Sequence, residues 1–145
     1  MNGRRRRALL TAVTPMLEPG ELVEVTTVVN LSTVSAGRTA AFGMASAIAS
    51  GGSVTVIPVP TPMYLVLTDR RIVIFEADPV FAKPVRHTMT IQRAGLFRSA
   101  VKERFVNSSF VLSSPYSASS LKLIFPLVER KARNQVVAAL PVTAD

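Results

Sequence analysis

Tyr64-Leu65-Val66-Leu67-Thr68-Asp69-Arg70-Arg71-Ile72-Val73-Ile74-Phe75 is the stretch whose reading decides the fold. Two short apolar runs flank four polar residues, the pattern of two strands joined by a tight turn. A strand with one solvated face alternates apolar and polar residues. Here both parities are apolar, so the hairpin is expected in the middle of the fold, covered on each side. Within the turn, the short carboxylate of Asp69 is expected to hold nearby backbone amides.

Upstream, Glu21 to Val29 alternates, with Val23, Val25, Thr27 and Val29 on one side and Glu24 and Thr26 on the other. That reads as a half-buried strand. Downstream, residues 85–91, 97–106, 109–113 and 120–125 are further strand-like pieces. Short strands at this spacing predict an antiparallel barrel or sandwich. Pro126 suits the first turn of a helix. Leu127, Val128, Ala132, Val136 and Leu140 then give that helix one apolar stripe, with Glu129, Arg130 and Arg133 in solvent. Leu9, Leu10, Val13 and Leu17 recur at helical spacing, so residues 4–17 predict a short amphipathic helix, ended by the Pro19-Gly20 turn.

A chain of 145 residues, 48% of them hydrophobic, is long enough to bury a core as one domain. Without cysteine it can hold neither a disulfide nor a thiolate metal site. The net charge of +8 favours anionic partners or simply aids solubility. Arg4, Arg5, Arg6 and Arg7 supply half of it in one run. The apolar stretch after them ends at Pro15 with no small-x-small cleavage site, and no run of roughly 20 apolar residues follows. A cytoplasmic location, peripheral to the inner face of the membrane at most, is the expectation.

Residues for chemistry are few. His87 is the sole histidine, and the serines at 113, 114, 117, 119 and 120 lie around Pro115 and Tyr116 without a strand-elbow-helix context. The acidic residues are scattered, and Gly51-Gly52 lacks the lysine and spacing of a phosphate loop. No catalytic residue, metal or cofactor is expected. Arg98, Lys102 and Arg104 share one face of a strand, with Ala100 between them. Aromatics make up only 6% of the chain, and no strand interleaves them with basic residues, so nucleic acid is not an expected partner.

The hairpin resembles the "yLvLTdrRlllf" signature of bacterial pleckstrin-homology-like domains, and Leu17-Glu18-Pro19-Gly20-Glu21 is similar to the "L.pgE" before their first strand. The resemblance implies a mainly β, two-sheet barrel of about seven antiparallel strands. A C-terminal α-helix caps it, and a short helix precedes it. On that basis residues 1–16 form a basic N-terminal segment, 17–140 the domain and 141–145 a tail. The resemblance also implies a non-catalytic module that binds lipid or protein. Phosphoinositide-binding members of the wider superfamily carry several basic residues around the first hairpin loop. Here residues 30–62 carry only Arg38, a departure that argues against inositol-phosphate recognition.

An Ala/Ser/Gly-rich insertion at 34–52 is the compositional outlier, and from Thr39 to Ser50 it has no charge. Ala41, Ala45 and Ala49 would permit close helix approach, with Phe42, Met44 and Ile48 as apolar contacts. Contact with protein, between identical subunits first of all, is the expectation ranked above attachment to an anionic membrane through this segment and Arg4 to Arg7. The candidate contact residues are therefore Arg4, Arg5, Arg6, Arg7, Arg38, Phe42, Met44 and Ile48.

Overall fold

The hairpin forms where its apolar runs begin and end. A computed structural model of the chain describes residues 3–35, 60–77, 84–114 and 119–142. In it β2 (Thr61–Thr68) pairs with β3 (Arg71–Ala77), with Leu67 opposite Ile72. Before them come α1 (Gly3–Val13), a 3-10 turn (Thr14–Met16) and β1 (Val23–Ser35). After them come β4 (Pro84–Gln92), β5 (Phe97–Arg98), β6 (Lys102–Glu103), β7 (Asn107–Ser113) and β8 (Ser119–Pro126). A second 3-10 turn (Leu127–Glu129) leads into α2 (Arg130–Ala139).

All pairings are antiparallel, in the order β4-β3-β2-β1-β8-β7-β5, with β6 also on β7. β1 serves both halves of this sheet: Val23–Leu31 pairs with β2, and Asn30–Ser35 with β8. The sheet therefore turns over at Asn30–Leu31, and its two halves face each other as a partly open barrel. Leu65, Leu67, Ile72 and Ile74 from one half meet Phe110, Leu112, Leu123 and Phe125 from the other in the main core. The rings of Phe110 and Phe125 stack at 5.5 Å.

The opposite face of the hairpin is covered too, as its two apolar parities require. Leu9 and Val13 of α1 pack on Tyr64, Val66, Val73 and Phe75. Val23 belongs to this outer cluster and Val25 to the main core, although the sequence puts them on one side. A register shift between them makes Glu24 an extra residue and turns the strand over.

One carboxylate locks the entry to this sheet. Glu21, buried, accepts Arg71 Nε and Nη2 at 3.0 Å each, Thr68 Oγ1 at 2.6 Å and the Glu18 backbone N–H at 2.9 Å. Arg71 also donates to the Met16 carbonyl, fixing the end of the N-terminal helical segment. Gly20, at φ +83°, lets the chain double back so that Glu21 reaches inward. The tight turn is closed by Thr68, whose hydroxyl accepts the N–H groups of Arg70 and Arg71, not by Asp69 as the sequence leads one to expect. Asp69 instead accepts the Leu22 N–H at 3.0 Å, pinning the start of β1 across the turn.

Two further expectations need correction. Residues 97–106 do not make one strand. Ser99 Oγ accepts the Val111 N–H at 2.9 Å, so a side chain takes the place of a ladder carbonyl, and pairing resumes only at Lys102. Nor does the C-terminal stripe begin at Leu127. The 3-10 turn after Pro126 has about three residues per turn, which advances the phase of the helix. Leu127 and Val128 are exposed, whereas Glu129 and Arg133 are buried with Val136 and Leu140. Glu129 accepts Thr27 Oγ1 and the Val28 N–H, and Arg133 pairs with Glu103 at 2.6 Å.

These observations set two tests. Leu140→Ala should cost about 2–5 kcal/mol of stability, and Val128→Ala, at 86% exposure, less than about 0.5 kcal/mol, in denaturant titrations. Equal costs would mean that the stripe starts where the sequence alone suggests. The second test concerns Glu21. The Arg71 guanidinium, with the Thr68 hydroxyl, holds its carboxyl at about 2, against burial acting the other way. A depressed folded-state value contributes stability above the ordinary carboxylate range and loses it as pH falls toward the folded value. Wild type should therefore lose up to about 3 kcal/mol more than Glu21→Gln between about pH 5 and pH 2. Parallel pH profiles would remove Glu21 from this role.

Candidate functional site

Among the described residues, His87, Ser113 and Ser120 each have a neighbouring side chain within hydrogen-bond distance. His87, exposed on β4, has Nε2 2.6 Å from Thr90 Oγ1 and meets Phe75 edge-on at 5.9 Å. Ser113 and Ser120 hydroxyls lie 2.9 Å from each other across β7 and β8. Among the described residues, no three His, Asp or Glu side chains converge as metal ligands.

The basic face read from 98, 102 and 104 is broken. Arg98 is buried and donates to the Val137 carbonyl near the end of α2 at 3.2 Å, while Lys102 and Arg104 remain in solvent. Arg93 is similar in kind: it donates to the carbonyls of Thr68 and Ala139 and pairs with Glu24 at 3.0 Å. These arginines cap backbone carbonyls and are not a binding face.

Arg4, Arg5, Arg6 and Arg7 all lie exposed on α1. Arg38, Phe42, Met44 and Ile48 lie outside the described residues. The fold takes Arg6 to the second helix: with Lys131, Val128 and Gln135 it lines a groove of about 400 Å³, floored by Glu24 and Thr26 of β1. Arg6 and the start of α2 thus share one side of the barrel.

Next to this groove is a feature the sequence reading missed. Arg104 N–H donates to the Asn107 carbonyl at 2.8 Å, which closes the β6–β7 connection as a two-residue loop. Its two residues, Phe105 and Val106, are 98% and 67% exposed. Asn107 is paired with Pro126, so this loop lies beside Leu127 and Val128, which are also exposed. Lys102, Arg104, Arg130 and Lys131 surround the apolar residues in sequence and register, all in solvent. Glu103, the acid among them, is paired with Arg133, whose guanidinium holds the carboxyl below its ordinary range. The signal that could have disclosed the tip is the run Lys102-Glu103-Arg104 before Phe105-Val106-Asn107. Charges alternate badly with a buried strand, and Asn favours a turn.

No family model matches the chain, and no curated protein does. Among solved structures, one of the Vav1 exchange factor, concerned with the structural role of its PH and C1 domains, superposes with a TM-score of 0.53 at 13% identity. The match covers 94% of this chain and 33% of that one, so the chain spans about a third of that relative's length. At this identity the likeness is one of fold. Together with the strand order and the closing helix, it makes the architecture pleckstrin-homology-like.

Proposed function

We propose that the chain is a non-catalytic binding module of the kind found among bacterial pleckstrin-homology-like domains, working by surface contact with protein, a second copy of itself included, or with a membrane. The observation that carries this reading is the barrel end where Phe105, Val106, Leu127 and Val128 stand in solvent on two adjoining turns. Single exposed apolar residues are ordinary, but a rimmed group marks a contact surface. A second contact, between copies of the chain, is supported by composition: residues 39–50 carry no charge and space alanines for close approach. Among the described residues no helix is long and apolar enough to cross a membrane.

A contact surface is dispensable for folding, which sets the test. Phe105→Ser with Val106→Ser should change stability by no more than about 0.5 kcal/mol. A loss above about 2 kcal/mol would place these side chains in the chain's own core and end the reading. For self-association, light scattering should give more than the monomer mass for the whole chain, and a lower mass after deletion of residues 39–50. A monomer at every concentration would remove the second contact.

A further inference from the structure

Resting on that reading of the barrel end as a contact surface, we infer that its partner is an anionic membrane surface, entered by the Phe105-Val106 tip. Three features of the molecule point there. The first is local. The two central positions of a two-residue hairpin loop favour Asn-Gly or Asp-Gly, and a β-branched residue is a poor choice there. An aromatic and a valine in these places break the local rule with no contact inside the fold to compensate, and such violations concentrate at functional positions. The second is shape. Phe105 is 98% exposed at the apex of a turn, so it projects and is not part of a flat patch.

The third feature is charge, and it separates a membrane from a protein partner. Arg104 adjoins the apolar pair and Lys102 stands two residues before it on β6, and both are exposed. At the centre of a protein interface lysine is depleted, because its ammonium is desolvated there. At a membrane, long cationic side chains lie along the apolar boundary with their heads among the phosphates. The acids nearby are already satisfied: Glu103 by Arg133, Glu24 by Arg93, and Glu129 by Thr27 and the Val28 amide. Lys131 and Arg6, which line the same groove as Val128, extend the positive side toward α1. This end lies at the far end of β8 from the Ser35–Ser119 pair, since Asn107 pairs with Pro126.

The chain has no tryptophan, so Phe105→Trp gives a single indole reporter at the tip. The probes are phosphatidylcholine vesicles with and without phosphatidylglycerol. The whole chain should sediment with the anionic vesicles and not with the neutral ones. Indole emission should shift to shorter wavelength on binding and be quenched by brominated lipid. Phe105→Ser with Val106→Ser should weaken binding at least about tenfold. Lys102→Gln with Arg104→Gln should weaken it about twentyfold, at roughly fivefold per cation. Sedimentation with anionic vesicles that neither shifts the indole nor responds to the serine variant would overturn the tip, leaving Arg4 to Arg7 as the contact. Failure to sediment, with an indole shift that grows with protein concentration in the absence of lipid, would overturn the membrane and make a second copy the occupant. In both cases the stability of the serine variant decides separately whether this end is a contact surface at all.

Discussion

The carboxylate of Glu21 is the point on which the arrangement of this chain depends. It receives a two-pronged guanidinium, a hydroxyl and a backbone amide, so a buried charge is matched by an opposite charge and its acceptor sites are filled. Its partners come from the N-terminal segment and from the β2–β3 turn. Each side therefore positions the other: Arg71 holds Met16, Thr68 closes the turn and Asp69 holds Leu22. Removing the carboxylate would leave Arg71 half-buried without its counter-charge and α1 without its anchor on the hairpin. With α1 displaced, Tyr64, Val66, Val73 and Phe75 would lose their cover.

Much of the arginine content follows from the same principle. Arg71, Arg93 and Arg98 direct N–H groups at carbonyls left over at helix ends and turns, where the backbone has no partner of its own. A planar guanidinium on a flexible stem bridges elements that no backbone ladder connects: Arg93 joins β1, the hairpin turn and the end of α2. The formal charge of the chain is therefore a poor guide to where its cations are exposed. Those in solvent stand on α1, at the start of α2 and beside the β6–β7 turn.

The hairpin was legible in the sequence because its signal is local and doubled, with two apolar runs and neither parity polar. The lock around Glu21 was legible only as two separate resemblances. Residues 17–21 and 64–75 lie far apart in the chain, and nothing in either names the other as its partner. In α2 the inward positions Ala132, Val136 and Leu140 were legible from their spacing, but the start of the stripe was not, because the 3-10 turn after Pro126 leaves Leu127 and Val128 outside. That exchanges Val128 for Glu129 at the interior. The break at Ser99 was hidden for a related reason, since a hydroxyl standing in for a carbonyl leaves no periodic trace. Phe105 and Val106 were absorbed into a strand because apolar residues next to a strand look like its continuation. Only the register of β6 on β7, with the Arg104–Asn107 bond, shows that they stand past its end.

The two basic regions of the sequence, far apart along the chain, acquire a common direction from β1. Its first half carries α1 on its outer face, and Val28 receives Glu129 from the turn before α2. Arg6 and Lys131 consequently border the same groove, although 125 positions separate them. β8 brings the β6–β7 turn to that side as well, through the pairing of Asn107 with Pro126. The barrel thus sets the β6–β7 turn and the groove of Arg6 and Lys131 on one side of the molecule. Taken singly, surface cations attract weakly and with strong salt dependence. For the contact proposed above, placement on one side by a common strand would let them act together, which neither group could do alone.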